Sequence, residues 1–399
     1  MKHLFIYTWL VLLVSFGSLH AQKKLSHLSK ISLLTCGPGD DMYTSFGHSA
    51  IKVYDPIAQI DWVFNYGTFN FSTPNFYGKF IQGKLPYSLA INSAKDFNAM
   101  YKYDDRSVQE QELLLTLIQK QKLWAFLEEN YKPENREYPY DFFYDNCATR
   151  IREALYAASD NQINTIDNPT IELITLRSLL YKYVGYHSWT GFGFGLILGL
   201  PADKDSDINS QMFLPDYLSS NLGKMTINGQ KLLGPPKTLV GTQRVVSIPT
   251  LTLSSPLVVT SIFFLIVLLL SLFVEAPKLH NVIDILFLSL TGLVGALFLF
   301  MWVGTDHQST YANLNMLWAN PLNLIMVFMA VRNPLSNLAK NYWWFLLICN
   351  GLLLLSWPFF IQAMHLAVLP FVLTVIIRSL YRVKRLPRLV RAKKEMLTQ

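Results

Sequence analysis

Five apolar segments crowd the last third of the chain, near residues 256–275, 282–303, 314–331, 342–362 and 364–381. Each is close to the roughly 20 residues that a helix needs to cross the hydrocarbon core of a bilayer. Lipid leaves backbone polar groups no solvent partner, so such segments are restricted to helices that satisfy those groups internally. The third and fifth are short or interrupted, at Pro321 and Pro370. Of the 399 residues 51% are hydrophobic and only 15% charged, and the apolar excess sits in this region rather than along the whole chain.

The N-terminus begins with Lys2, an apolar run from Leu4 to Leu13, and small and polar residues up to Ala21. This is the layout of a secretory signal peptide cleaved after Ala21. Leu19 is bulkier than the residue usual two positions before such a site, so an uncleaved signal anchor stays open. Either version exports the segment C-terminal to it. Five crossings that start outside leave the C-terminus in the cytoplasm. The loops agree: Lys278, Arg332 and Lys340 fall in expected inner loops, whereas 304–313 has no Lys or Arg. Much of the net charge of +7 comes from Arg378, Arg382, Lys384, Arg385, Arg388, Arg391, Lys393 and Lys394. Directly after an apolar span such a run reads as a cytoplasmic anchor, and no nucleic-acid partner is implied. The expected domains are a signal peptide or anchor over 1–21, an extracytoplasmic domain over 22–250, a transmembrane domain over 251–381 and a basic cytoplasmic tail over 382–399.

Within the exported part, Ser49–Tyr54 and Asp61–Tyr66 are rich in β-branched and aromatic residues and flank a turn at Asp55-Pro56. They predict adjacent strands. From Ser107 to Tyr131 the pattern of Leu113, Leu114, Leu117, Leu123 and Leu127 predicts a helix. A second helix is expected to begin at Asp145-Asn146-Cys147, with Asp145 or Asn146 as N-cap and Cys147, Ile151, Leu155 and Ala158 on one buried stripe. Residues 189–201 are apolar, glycine-rich and too few to span a bilayer. A buried strand is the expectation, with contact at the membrane surface as the alternative.

Cys147 therefore falls in the first turn of a helix, where free N–H groups and the positive end of the dipole stabilise a thiolate. A base that titrates near neutral pH is needed beside it, and histidine is the usual choice. The exported part has His27, His48 and His187, and only His48 stands at the start of a strand. Asn65, on the neighbouring strand, is the candidate for orienting His48, with Asp61 as runner-up; Asn65 as a plain turn residue beside Gly67 stays open. Arg150 is either a contact for a lipid phosphate or a surface ion pair. Cys36 and Cys147 both lie outside the cytoplasm, so a structural disulfide between them stays open. Cys349, inside an apolar span, reads as an inert packing residue. The chain has no HExxH motif, no paired cysteines at zinc spacing and no Walker loop, so neither a metal nor a nucleotide cofactor is implied.

The order His–strands–Cys resembles the circularly permuted branch of the NlpC/P60 superfamily, the lecithin:retinol acyltransferase-like enzymes, which have papain-like active sites. Longer motifs are similar to the signature of the Lnb family: Leu34-Thr35-Cys36-Gly37-Pro38-Gly39-Asp40, Phe46-Gly47-His48-Ser49-Ala50, Phe64-Asn65-Tyr66-Gly67-Thr68-Phe69, Asp145-Asn146-Cys147-Ala148-Thr149-Arg150, Met212-Phe213-Leu214-Pro215-Asp216-Tyr217-Leu218, Asp306-His307 with Asn313 and Asn315, and Leu317-Trp318-Ala319-Asn320-Pro321. The resemblance runs from about residue 30 to the last span.

It implies an α+β, permuted papain-like periplasmic domain followed by about five transmembrane helices in the bacterial inner membrane. It also implies a lipoprotein N-acyltransferase of the Bacteroidota type. Such an enzyme takes an acyl chain from a membrane phospholipid, holds it as a thioester and passes it to the α-amino group of a diacylated lipoprotein's N-terminal cysteine. Cys147 would be the nucleophile, His48 the base, and the Cys147 N–H an oxyanion donor. His307 and Asp306, in an outer loop, either approach the acyl donor or form a polar helix end. The competing readings are a membrane-anchored peptidoglycan hydrolase, a phospholipase in which water resolves the thioester, and a disulfide-bonded scaffold.

Overall fold

The strand pair expected around Asp55-Pro56 is the centre of a seven-stranded antiparallel sheet. The computed structural model describes residues 24–165, 174–245, 247–332 and 336–383; the export segment 1–21 and the basic tail from Lys384 onward lie outside the described residues. The strands are β1 (Lys30–Cys36), β2 (His48–Asp55), β3 (Ile60–Thr68), β4 (Pro86–Ser93), β5 (Val108–Glu112), β6 (Glu137–Pro139) and β7 (Lys237–Val240), in the order β7-β5-β1-β2-β3-β4-β6. The β2–β3 turn forms because the Asp55 carboxylate accepts the N–H groups of Ile57 and Ala58 at 2.9 and 3.0 Å, a side-chain substitute for turn hydrogen bonds.

Register decides what this sheet presents. Ile51 pairs with Phe64 and Lys52 with Val63. Side chains alternate along a strand, so His48 and Ala50 share a face with Val63 and Asn65. Ala50 and Val63 are covered by Phe97 and Tyr101 of α2 (Ala94–Tyr103); the short helix α1 (Phe76–Ile81) lies between β3 and β4. The opposite face, with Ile51, Val53, Phe64 and Tyr66, packs against α3 (Leu117–Tyr131) and α4 (Cys147–Ala158). On α4 the stripe Ile151, Leu155 and Ala158 is buried as expected, each large aliphatic contributing about 1.5–3 kcal/mol.

The helix expected over 107–131 divides. Val108–Glu112 forms β5, paired with β1 and β7, and the helix begins only at Leu117. A capping box sets that start: the Gln119 N–H donates to Thr116 Oγ1 at 3.3 Å, and the Thr116 N–H to Gln119 Oε1 at 2.9 Å. Residues 189–201 are likewise no strand. Trp189–Ile197 is a helix, α6, which Ser188 caps through the Gly191 N–H at 2.8 Å. Tertiary packing overrides the low helix propensity of its three glycines: Phe192 is buried among Phe298, Trp318, Leu353 and Val368 of the C-terminal part.

That part contains α8 (Pro256–Phe273), α9 (Pro277–Val303), α10 (Asn323–Arg332), α11 (Asn337–Ser356) and α12 (Leu369–Arg382). Three stretches among the described residues are long and apolar enough to cross a membrane: Pro256–Phe273, Pro277–Val303 and Asn337–Phe359. The remaining two helices are shorter than the apolar runs that announce them, with 10 and 14 residues. Residues 308–317 form two 3₁₀ turns, because Asn313 and Asn315 spend their amides on carbonyls of α6 rather than facing lipid. Pro370 stands in the first turn of α12, where its missing N–H costs nothing. Arg378 of α12 is fully buried and ties the bundle together, with Asp284 of α9 at 2.6 Å and Ser271 of α8 at 2.8 Å.

The two parts are fastened by hydrogen bonds to the end of α6. Asn313 Nδ2 donates to Leu196 O at 2.6 Å, Asn315 Nδ2 to Gly195 O at 3.2 Å, and Gln362 Nε2 to Leu198 O at 3.3 Å. Arg177 of α5 (Leu176–Val184) completes the set, donating to Leu198 O at 3.0 Å and Gly199 O at 3.2 Å while pairing with Asp203 at 2.8 Å. These donors satisfy the carbonyls that a helix end leaves open.

Candidate active site

Cys147 is the first residue of α4, and the chain folds that way because of Asn146. Its Oδ1 accepts the N–H groups of Ala148 and Thr149 at 2.8 and 3.0 Å, and Thr149 Oγ1 accepts the Asn146 N–H at 2.7 Å. Such a cap stabilises a helix by about 1 kcal/mol. Asn146 Nδ2 also donates to Phe142 O at 2.7 Å and Phe213 O at 2.9 Å. The Met212–Leu218 motif, distant in sequence, therefore buttresses the turn that carries the thiol; Pro215–Leu222 forms α7 there.

His48 reaches Cys147 from β2. Its Nε2 lies 2.6 Å from Asn65 Oδ1. An amide oxygen only accepts, so Nε2 carries the proton and Nδ1 is left for the Cys147 sulfur, with which the ring is hydrogen-bonded. Burial opposes a thiolate at Cys147, but the His48 charge and the N–H groups of Ser49 and Ala148 outweigh it and hold the thiol below its ordinary range. Burial also works against a charged His48, yet the thiolate and the Asn65 hydrogen bond raise the imidazole above its ordinary value. Both shifts favour the charged thiolate and imidazolium forms over the neutral ones, and the pair stands at a helix N-terminus.

Asp61 lies farther along β3 and faces Lys52 at 3.8 Å; it is not joined to His48. Cys36 is a free, buried thiol, as is Cys147. Burial pushes Cys36 up to about 12, so it stays protonated.

Arg150 is held by Asp145, bidentate at 2.5 and 2.7 Å in a partly buried pair, and lies 3.9 Å over the Tyr138 ring. His307 and Asp306 do not approach Cys147 in any described contact. The Asp306 N–H donates to Gln82 O at 2.9 Å, and His307 Nε2 lies 3.1 Å from Ile81 O. They join the outer loop to the segment that carries α1. His365, unassigned from sequence, fastens the two parts through Tyr186 O at 2.7 Å.

Among the neighbours of the thiol, Gly67 lies in one of the family-like motifs, whereas Tyr138, Tyr140 and Arg106 were given no role from the sequence. Gly67 has φ +85°, and a Cβ there would lie 3.6 Å from Cys147 Cβ, 3.8 Å from Tyr140 Cε2 and 3.9 Å from Tyr138 Oη. Tyr138 lies in β6 and Tyr140 directly after it, so both are placed by the β4–β6 pairing. Arg106, also buried, donates through Nε to Gly37 O at 2.9 Å and so holds the Gly37-Pro38-Gly39 loop that follows Cys36, the register partner of His48.

A family model of the Lnb N-terminal periplasmic domain matches residues 18–181, and one of the Lnb transmembrane domain matches residues 249–386. No curated protein and no solved structure matches the chain significantly. The two matches together span more than half of the chain, in the order of its two parts. The α+β part is accordingly a periplasmic domain and the helical part a transmembrane domain. The chain belongs to the Lnb family, and that membership suggests a membrane enzyme of lipoprotein maturation.

Proposed function

We propose that this protein is a lipoprotein N-acyltransferase that works through a thioester on Cys147. The observation that carries the reading is the hydrogen-bonded series Cys147–His48–Asn65 at the N-terminus of α4. The Cys147 thiolate attacks the ester carbonyl of a phospholipid, the ester C–O bond breaks, and His48 gives its proton to the departing lysophospholipid oxygen. The α-amine of a diacylated lipoprotein then attacks the thioester; His48 takes the amine proton and the sulfur leaves. The Asn146 cap takes the N–H groups of Ala148 and Thr149, and the Cys147 N–H serves as oxyanion donor. Asn65 keeps the imidazole in the tautomer this cycle needs.

The helix-borne cysteine packed on an antiparallel sheet, with the histidine earlier in the chain, supports a permuted papain-like fold of NlpC/P60 type for residues 22–250. Five crossings over 251–381, with the cytoplasmic tail 382–399 after them, agree with the charge bias of the loops. In this arrangement both lipid substrates reach Cys147 from the outer leaflet of the inner membrane.

Incubating the detergent-purified protein with phospholipid and taking its intact mass tests the reading. A hydroxylamine-sensitive acyl adduct, absent from Cys147→Ser and transferred to added diacylated lipopeptide, supports it. An adduct that decays only to free fatty acid makes the protein a phospholipase. No adduct in either protein sinks the thioester mechanism.

A further inference from the structure

Between β3 and β4 a row of aromatic rings connects the thiol to the membrane side of the domain. It begins at Tyr140, beside Cys147 across Gly67. Tyr140 stacks on Tyr87 with centroids 4.2 Å apart, Tyr87 meets Phe69 at 5.3 Å, Phe69 meets Phe76 at 5.9 Å, and Phe76 stacks on Phe80 at 6.4 Å. Tyr140, Tyr87, Phe69 and Phe76 are half-buried, whereas Phe80 is 51% exposed and Tyr77, on the same short helix, 76%. Soluble domains rarely expose contiguous aromatic surface of this kind without a partner.

The far end of the row is joined to the transmembrane domain. The Asp306 N–H on Gln82 O, and His307 on Phe80 O and Ile81 O, link it to the loop that directly follows α9 at Val303. Charge points the same way. Residues 69–87 contain Lys79 and Lys84 and no acidic residue, a combination suited to lipid phosphates with aromatic rings at the headgroup level. A peptide partner is disfavoured, because the carbonyls of Phe80, Ile81 and Gln82 already accept protein donors and are not open for strand addition.

We propose that residues 69–87 are an acyl-chain guide: they dip into the outer leaflet and lead one hydrocarbon chain of a phospholipid along the ring row, bringing its ester to Cys147. This rests on the acyltransferase reading and adds the donor's route and binding surface to it.

The test uses the full-length protein in phosphatidylethanolamine–phosphatidylglycerol vesicles. With Cys147→Ser, a phospholipid bearing a diazirine on its acyl chain should crosslink within 69–87. Crosslinks confined to the membrane helices overturn the proposal, as does labelling of the segment by a diazirine-bearing diacylated lipopeptide alone. In the active protein, Tyr77→Asp with Phe80→Asp should slow thioester formation from vesicle phospholipid by about tenfold or more, and leave acylation by water-soluble p-nitrophenyl butyrate unchanged. Tyr77→Trp with Phe80→Leu should retain the native rate with both donors. An unchanged phospholipid rate in the Asp variant overturns the proposal, and so does an equal loss with both donors, which marks damage at the thiol centre. If the unsubstituted protein acylates with neither donor, the thioester reading fails, while the crosslinking result still decides whether the segment holds a lipid chain.

Discussion

The Oδ1 of Asn65 on β3 lies 2.6 Å from the Nε2 of His48 on β2, and this one hydrogen bond sets which ring nitrogen faces the Cys147 sulfur. The strand register that brings them together is held by buried apolar pairs such as Ile51 with Phe64. A one-residue slip of β3 against β2 would put the two polar side chains on opposite faces.

Asn65→Ala removes that hydrogen bond without touching the thiol. On the proposed mechanism, kcat should fall roughly 10–100-fold with little change in stability, because a freed imidazole samples the wrong tautomer and orientation. Asn65→Asp, which can still accept from Nε2, should recover part of the rate. Single-turnover acylation of Cys147 measures both; equal rates in all three proteins would remove Asn65 from the mechanism.

Thiol reactivity should follow the ion pair. Cys147 is held below the ordinary thiol range and Cys36 is pushed up to about 12, so iodoacetamide at neutral pH should modify Cys147 and spare Cys36 in the native protein. In His48→Ala the alkylation curve of Cys147 should move to higher pH, since burial remains and the charge opposing it is gone. Mass mapping after a pH series shows either outcome.

The same pair carries a stability term with a definite sign. The folded pKa of His48 is raised, so its stabilisation is complete below the ordinary histidine value of about 6.5 and disappears as pH rises through the folded value. The folded pKa of Cys147 is lowered, so its share is present above the ordinary thiol range and is lost as pH falls through the folded value. Both terms describe one interaction and do not add. In Cys147→Ala the His48 term should vanish, and thermal unfolding at acid and alkaline pH, compared with the native protein, reads the difference.

Asn146→Ala should cost about 2 kcal/mol, more than a surface cap, because the buried Phe213 carbonyl and the half-buried Phe142 carbonyl lose their donor along with the helix N–H groups. Asn146→Asp keeps an acceptor for the helix but leaves Phe142 O and Phe213 O unpaired. It should be no more stable than the alanine variant. Thermal melts in detergent distinguish these; an aspartate variant as stable as the native protein contradicts the assigned role of Nδ2.

Arg177→Met should destabilise the junction between the two parts by about 3–5 kcal/mol, the cost of leaving a buried partner charge uncompensated. Arg177 is fully buried and serves Asp203 and the end of α6 together. Adding Asp203→Leu should recover part of the loss but not all, since Leu198 O and Gly199 O remain without the guanidinium. Limited proteolysis between 199 and 256, beside thermal melts, follows the junction directly.

The features legible in the chain alone were those coded by neighbouring residues. Apolar runs long enough to cross lipid, the β2–β3 strand pair around Asp55-Pro56, the Asn146 cap and the buried stripe of α4 each depend on contacts within a few residues, and periodicity exposes them. His48, Asn65 and Cys147 were legible as candidates because their local settings, strand start and helix start, are local too. Tertiary structure decided the rest. Whether Val108–Glu112 was strand or helix depended on an edge offered by β1, and whether 189–197 was helix or strand depended on carbonyl partners more than a hundred residues away, at Asn313, Asn315 and Gln362. The free state of Cys36, the placement of Tyr138 and Tyr140 around Gly67 and the docking of His307 on the α1 segment are likewise products of sheet order and domain packing. Hydrogen bonds and burial between distant segments leave no period in the sequence, so only the folded chain displays them.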